Sequence, residues 1–157
     1  MATIKGRIKA ISVSEKKGTP KTNVPKVELK NDFGIIGDAH AGNWHRQVSL
    51  LAAESIEKML VKGAQVGPGD FAENITTQGI DLCKLHLSSK LKIGKSVELE
   101  LTQFGKKCHR HCAIFDQVGD CIMPREGVFA RVTKQGWINV GDIIEVCNAL
   151  NNNGDVQ

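Results

Sequence analysis

The sequence has few aromatic residues and no long apolar run. Aromatic side chains make up 4% of the 157 residues, and tyrosine is absent. A protein that binds single-stranded nucleic acid stacks bases on such rings, so their scarcity argues against that class. Apolar runs such as Val48 to Ala53 are far too short to span a bilayer. The first residues, Met1 to Arg7, lack the apolar core of a signal peptide. We therefore expect a cytoplasmic protein without a membrane or nucleic-acid partner.

The remaining composition is that of an ordinary globular domain. Hydrophobic residues make up 41% of the chain and charged residues 24%. A chain of 157 residues is large enough for one domain with its own core. We expect that single domain to span residues 1–147, and we expect the asparagine-rich tail, residues 148–157, to be disordered. The net charge of +4 is compatible with small anionic ligands and does not single out nucleic acid.

Hydrophobic periodicity predicts a mainly β fold with a few short helices. Two segments resemble each other, one beginning at Ile93-Gly94 and the other at Val140-Gly141, and each enters an alternating strand through a glycine turn. Such strands are typical of a β-barrel. β-Branched and alternating residues predict further strands. These are Ile4 to Val13, Val24 to Leu29, Gln47 to Leu51, Phe71 to Thr77, Val97 to Leu101 and Trp137 to Val146.

One convincing helix is predicted, over residues 53–62. Ile56, Met59 and Leu60 recur there at helical spacing, and Gly63 supplies a stop. A short helix is also expected over residues 110–118. The pattern over residues 128–133 fits a strand or a helix equally well.

Reactive side chains are concentrated in residues 104–121, which hold three of the five cysteines and two of the five histidines. A thiol reacts as its thiolate, and positive neighbours favour that form. Lys106, Lys107 and Arg110 are therefore expected to lower the pKa of Cys108. Because Cys108 directly follows a strand with one buried face, it has a fixed platform. These features make Cys108 the candidate for a working thiol.

Other roles for the cysteines stay open. Free cysteine commonly packs as a small hydrophobe, which suits Cys83 and Cys147 in their apolar surroundings. Zinc is a second alternative, because thiolate and imidazole are its preferred ligands. The zinc set would be Cys108, His109 or His111, Cys112 and Cys121, although the C-x3-C spacing is not that of a usual C-x2-C knuckle. Cys108 could also form a disulfide with Cys112 or Cys121 as a redox state, but an odd cysteine count argues against a disulfide framework.

A glycine-spaced loop is the second unusual stretch. Between Gly34 and Leu51 it carries four ionisable residues, Asp38, His40, His45 and Arg46. A loop opened by glycines can approach a ligand closely, and this density of ionisable groups favours a binding site. The alternative is a surface turn whose polar residues are merely solvated. Asn74, further along the chain, is either a turn cap or a ligand contact.

Several motifs together resemble a MOSC domain, the family named for the C-terminal part of molybdenum cofactor sulfurases. The resemblance runs from about Gly34 to Val146, and its specificity lies in the order and spacing of the motifs. They are Gly37-Asp38 with His40 and Gly42, Arg46, the stretch Phe71 to Ile80, Cys108 after the Leu99–Gln103 strand, and Gly127 to Val132 ahead of Val140-Gly141-Asp142.

The resemblance implies a mostly β, barrel-like fold in which one cysteine, here Cys108, carries sulfur or meets the molybdenum centre. It implies the molybdenum cofactor, molybdopterin, as the ligand. The cofactor-binding residues are then His40, His45, Arg46 and Lys106, which suit its anionic pterin phosphate, and Asn74. A cysteine desulfurase or another molybdenum-cofactor protein is the implied partner.

The chain also departs from its larger relatives. It has no room for the pyridoxal-phosphate desulfurase domain of the sulfurases or for the additional N-terminal barrel of the N-hydroxylated-compound reductases. Pyridoxal phosphate is therefore not expected on this chain, and no full activity is carried over. Two hypotheses follow: a small enzyme or carrier with sulfur transfer as its candidate activity, or a zinc-stabilised regulatory module without turnover. Metal analysis separates them, because a structural site holds about one zinc per chain.

Overall fold

The computed structural model describes residues 4–105 and 121–147, and their fold is mainly β. The strands are β1 (Ile4–Val13), β2 (Thr22–Val24), β3 (Lys26–Lys30), β4 (Gly34–Ile35), β5 (Val48–Ala52), β6 (Ile75–Gln78), β7 (Lys90–Ile93), β8 (Val97–Phe104), β9 (Val128–Lys134), β10 (Gly136–Asn139) and β11 (Ile143–Cys147). The helices are α1 (Ala53–Val61) and the one-turn α2 (Met123–Glu126), with a 3₁₀ turn at Leu82–Lys84.

Within the described ranges, seven strands close into a barrel. Their order around the ring is β1, β11, β7, β8, β9, β5 and β6, and β6 pairs back with β1. Every pairing is antiparallel except β5 with β6, which is parallel because α1 crosses over between them. β1 bends at a register shift between Ile8 and Ala10, so its first half pairs with β11 and its last residues pair with β2. Closure removes most free sheet edges.

A second sheet of three short strands, in the order β10, β3, β4, packs against the barrel. Its inward residues Val27, Leu29 and Ile138 join the barrel core. The sheet leads from β4 into the loop before β5. That loop contains the ionisable residues singled out in the sequence.

Two apolar clusters explain why β5 is buried on both faces. Val48 and Leu50 point into the barrel, where they belong to the main core. Leu51 points outward and packs with Ile56 and Met59 of α1 in a second cluster. A continuous apolar strand is the expected pattern for a strand covered by a helix on its outer side. β5 is therefore a rigid support for the loop that precedes it.

The predicted fold class is confirmed, and most predicted elements occur with small shifts in their bounds. The segment 128–133, left open between strand and helix, belongs to β9. The predicted strand Phe71 to Thr77 was wrong in its first half, because residues 71–74 form a turn and β6 begins only at Ile75. The prediction of one continuous closing strand from Trp137 to Val146 was also wrong. A turn at Gly141, where φ is +94°, divides it into β10 and β11, which belong to different sheets.

Some predictions fall outside the described residues. They are the helix at 110–118 and the tail at 148–157. No helix in the described part of the chain is long and apolar enough to cross a membrane.

The end of β8 is fixed to the start of β9 at Gly105. The N–H of Gly105 donates to the carbonyl of Gly127 at 2.6 Å. Gly105 has a φ of +68°, and a Cβ built on it would collide with the carbonyl oxygen of Pro124 in α2. The chain therefore needs a glycine where it leaves the barrel toward Cys108.

We predict that Gly105→Ala destabilises the fold by about 2–5 kcal/mol. A side chain at positive φ costs about 1–2 kcal/mol, and the collision with a backbone carbonyl adds about 1–3 kcal/mol. Gly63→Ala is the matched control, because Gly63 has a φ of +97° and no atom within 4 Å of the added Cβ. Urea unfolding gives both free energies. Equal losses in the two variants would contradict the proposed collision.

Candidate functional site

The loop between β4 and β5 lies against the end of β8. The Thr102 hydroxyl donates to the carbonyl of His45. Nε2 of His45 lies 2.6 Å from Oε1 of Gln103. Gln103 is near the end of β8, two residues before Gly105, the last described residue ahead of Cys108. The buried side chain of Gln47 fixes the end of the loop by accepting the N–H of Val132 at 2.9 Å. The glycine-spaced loop and the strand that precedes Cys108 in the sequence are therefore neighbours.

Four ionisable side chains surround one indole ring, and we call this group the Trp44 cluster: Trp44 with Lys17, His40, His45 and Arg46. The His40 ring is parallel to the indole at 6.4 Å between centroids, and the His45 ring meets it edge-on at 6.1 Å. Nζ of Lys17 lies 4.9 Å from the indole centroid, and Cζ of Arg46 lies 4.6 Å from it. Both distances are within the range of a cation–π interaction. The cluster gathers positive charge around a neutral support.

Arg46 has an unused hydrogen-bond donor. Its guanidinium lies between two rings, with Cζ 4.6 Å from the Trp44 centroid and 5.4 Å from that of Phe129. Its Nε is buried and has no hydrogen-bond partner among the described residues. A buried donor left unsatisfied costs about 1–3 kcal/mol. An anion bound beside Arg46 would supply the missing acceptor.

A buried ion pair holds this loop to the rest of the fold. Nζ of Lys21 lies 2.8 Å from Oδ1 of Asp38, and both side chains are 0% exposed. The backbone N–H groups of Ser14 and His40 donate to the two carboxylate oxygens of Asp38, each at 3.0 Å. In return, the N–H of Ala39 donates to the carbonyl of Ser14 at 2.8 Å. Asp38 therefore orders the loop that carries His40, and its role is structural.

The pKa of Asp38 reflects two opposing effects. Burial by itself raises the pKa of this carboxyl, but the ammonium of Lys21 and the donated N–H groups outweigh burial, so the pKa lies below its ordinary value. The carboxylate therefore stays charged under neutral and mildly acidic conditions. Glu73 shows the other outcome. Its fully buried carboxylate accepts hydrogen bonds, which lower its pKa, but the effect of burial is larger and the pKa is raised.

Asn74 lies inside the barrel wall. Its Oδ1 accepts from the N–H of Ser49 at 3.0 Å, and its Nδ2 donates to the carbonyl of Ser12 at 3.1 Å. The side chain therefore ties β5 to β1 beside the start of β6. The structure gives Asn74 this bridging role, and a contact of its side chain with a cofactor stays a prediction.

Most of the predicted sulfur and metal residues fall outside the described part of the chain. These are Lys106, Cys108, His109, His111 and Cys112. Cys121 is described: it is partly buried and packs against the second apolar cluster, just before α2. The described residues contain no group of three or more histidine, cysteine or acidic side chains placed to hold a metal. The zinc set is therefore untested.

Three members of the site were not anticipated from the sequence. They are Trp44, Lys17 and Gln103. Trp44 left a signal, because it is one of only two tryptophans and lies within the loop of ionisable residues, directly before His45. Lys17 and Gln103 reach the site from distant parts of the chain, and no local pattern marks either of them.

A cavity of about 460 Å³ lies at the other end of the barrel and is lined by several lysines. Cross-strand register places Lys5 beside Glu145 and Glu145 beside Lys92. It also places Glu98 between Lys92 and Lys134. The lysines of this row therefore have carboxylate neighbours across the strands. Lys17 and Arg46 of the Trp44 cluster have no such partner among residues 4–105 and 121–147. We place the candidate site at the Trp44 cluster for that reason.

Comparison with known proteins gives the following matches. A family model described as MOSC domain matches residues 37–145. The YuaD protein from Bacillus subtilis superposes with a TM-score of 0.80 at 17% identity, covering 95% of this chain and 99% of that one. YiiM from Geobacillus stearothermophilus gives 0.68 at 18% identity, with 91% and 75% covered. YiiM from Escherichia coli gives 0.65 at 17% identity, with 93% and 72% covered. These identities speak for the fold alone. A search of curated proteins found no match.

We predict that Asp38→Asn destabilises the protein by about 3–5 kcal/mol at neutral pH, because it leaves the buried Lys21 ammonium without its charge partner. The double variant Lys21→Met/Asp38→Asn should lose less than the sum of the two single variants, since it buries no unpaired charge.

The loss of stability in Asp38→Asn should depend on pH in a defined direction. The pKa of Asp38 in the folded state is lowered, so the stability it contributes is fully present above the unfolded-state pKa of about 3.9. That stability is lost as the pH falls through the lower, folded-state value. Urea unfolding at several pH values should show that the gap in stability between wild type and Asp38→Asn narrows in acid, below the unfolded-state pKa of Asp38. A gap that narrows as the pH falls from 7 to 5 would contradict this assignment.

Proposed function

Because the chain belongs to the MOSC domain family, we propose that it is a small protein of molybdenum-cofactor metabolism that binds molybdopterin through its phosphate and carries sulfur, or ligates molybdenum, through Cys108. The Trp44 cluster is the phosphate site of this proposal. Sulfur transfer is the candidate activity.

The observation that carries the proposal is the arrangement of Arg46. Its guanidinium is held between two aromatic rings with a buried Nε that has no acceptor among the described residues. Guanidinium groups bind phosphate with charge-assisted hydrogen bonds in a fixed planar geometry. Contact with the two rings restrains the guanidinium before the ligand arrives, which reduces the entropy cost of binding.

The other residues have complementary roles in this proposal. His40 and His45 supply ring N–H donors beside the phosphate, and Gln103 orients His45 through the 2.6 Å contact. Lys106, directly after Gly105, adds positive charge. When bound, the cofactor supplies a molybdenum ion that accepts soft sulfur ligands. In the sequence, Cys108 follows Gln103 after only four intervening residues, and in this proposal its thiol meets the metal end of a ligand anchored at Arg46.

Sulfur loading would proceed by exchange with the persulfide of a cysteine desulfurase, the proposed partner. The Cys108 thiolate attacks the outer sulfur of that persulfide, so a new S–S bond forms at Cys108. The original S–S bond breaks, and the desulfurase cysteine leaves as a thiolate. No external oxidant or reductant is needed, since the sulfur passes between two thiols.

We predict that Cys108→Ser abolishes sulfur loading and leaves the fold intact. Mass spectrometry after incubation with a cysteine desulfurase and cysteine should show one added sulfur on wild type and none on the variant. Cys83→Ser is the control and should load like wild type. The residue Cys83 is accessible to solvent, but partial desolvation of its thiol and the carboxylates of Glu126 and Asp81 raise the pKa of that thiol. A raised pKa disfavours the nucleophilic thiolate. Persulfide that persists on Cys108→Ser would overturn the assignment.

We predict that Arg46→Ala weakens the binding of a pterin phosphate tenfold to a hundredfold, which corresponds to about 1.5–3 kcal/mol for a charge-assisted hydrogen bond. The alkylation rate of Cys108 against pH should not change, so the two measurements separate binding from thiol reactivity. Arg7→Ala is a matched control, because Arg7 is exposed and its side chain donates, among the described residues, to Gln78 alone, through Nε at 2.8 Å.

Unchanged affinity in Arg46→Ala would mean that the loop is only a solvated turn. The phosphate site would then have to be sought around Lys106, Lys107 and Arg125. About one tightly bound zinc per chain, in protein purified without added zinc, would instead favour the zinc-stabilised module formed by Cys108, His109, Cys112 and Cys121.

A further inference from the structure

The loop between β1 and β2, residues 14–21, is tied at its neck by one carboxylate. Oδ1 of Asp38 accepts the N–H of Ser14 at 3.0 Å and the ammonium of Lys21 at 2.8 Å. The same ammonium donates to the hydroxyl of Ser14 at 2.9 Å. The two ends of the loop are therefore held together. We call the residues between them, residues 15–20, the arm.

The arm has its own internal hydrogen bonds. The carbonyl of Lys16 accepts from the hydroxyls of Ser14 and Thr19 at 2.9 and 3.0 Å. Gly18 turns the chain with a φ of +74°. This arrangement places Lys17 at the turn, and its ammonium lies over the Trp44 ring at 4.9 Å. The arm therefore delivers a cation to the site from a second element.

Lys17 and Arg46 face the same indole, so their charged groups are at most about 9.5 Å apart, which is the sum of their distances to the ring centroid. Neither has a carboxylate partner among residues 4–105 and 121–147. Two like charges brought this close without a counter-charge repel each other. A doubly charged anion in contact with both groups would attract each of them and outweigh that repulsion.

We propose that Lys17 is a ligand-binding residue of this site and that it grips, together with Arg46, one phosphate monoester dianion. This assignment rests on the proposed function in that it takes Arg46 as an anion contact. It adds a residue from outside the matched region, residues 37–145. It also gives the ligand a class, since two cations on separate elements favour a dianion over a monoanion.

The neighbouring Lys16 provides a matched control. It is exposed and takes part in the arm only through its backbone carbonyl, which an alanine substitution retains. Lys16→Ala and Lys17→Ala remove the same charge from adjacent positions. A difference between them therefore reports the position of the ammonium and not the net charge of the arm.

Trp44 supplies the signal for the test. The sequence has two tryptophans, and the other one, Trp137, lies exposed on β10. In a Trp137→Phe background, Trp44 is the only indole, and its fluorescence can be followed as inorganic phosphate is added at low, constant ionic strength. The dissociation constant for phosphate is the readout, because the size of the fluorescence change also depends on the cation–π contact of Trp44 itself.

The expected result is saturable phosphate binding that Lys17→Ala weakens about three- to tenfold. Lys16→Ala should change the constant less than twofold, Arg46→Ala should weaken binding further, and Lys17→Arg should restore most of the affinity. Equal constants for Lys16→Ala and Lys17→Ala, with a loss in Arg46→Ala, would overturn the role of Lys17 and leave the phosphate site standing. No binding to the wild-type protein, by fluorescence and by calorimetry, would overturn both.

Discussion

The buried ion pair between Asp38 and Lys21 is the interaction on which the arrangement of the site depends. Removing two charges from water costs several kcal/mol per ion, and this pair recovers the cost only because further hydrogen bonds satisfy the carboxylate. Those bonds come from the backbone of Ser14 and His40. One carboxylate thus fixes both the arm that carries Lys17 and the loop that carries His40, His45 and Arg46. A hydrophobic pair could fill the same volume, but it could not bind those backbone N–H groups.

The barrel supplies the other constraint, which is the meeting of distant segments at one end. β9 pairs with both β5 and β8, so Phe129 lies beside Ser49 on one side and beside Gln103 on the other. Arg46, three residues before Ser49, can therefore rest on the Phe129 ring. The same end of β8 continues through Gly105 toward Cys108. Arg46 and the strand that precedes Cys108 in the sequence therefore meet at one end of the barrel.

Part of this arrangement could be predicted from the sequence and part could not. The alternation of apolar and polar side chains and the glycine turns before strands predicted the β fold. The order and spacing of the motifs predicted the family. Both signals can be read along the sequence without knowing which residues meet in the fold. The loop with Asp38, His40, His45 and Arg46 was visible as a dense ionisable stretch. Lys21 was not, because a lysine in a loop looks solvated until the fold supplies a buried carboxylate 17 residues away. Lys17 was missed for a similar reason. The split of β10 from β11 was missed although the sequence signals a glycine turn at Val140-Gly141, because the residues on both sides of that turn also fit one strand.

The central claim is that the cations around Trp44 hold the phosphate of a molybdenum-cofactor pterin. The most direct measurement is anaerobic purification of wild type and Arg46→Ala from cells that make the cofactor, followed by oxidation and pterin fluorescence per mole of protein. We expect a clear pterin signal on wild type and a tenfold or greater reduction on Arg46→Ala, in line with the loss of a charge-assisted contact of about 1.5–3 kcal/mol. Equal pterin content in the two proteins, or none in wild type, would contradict it.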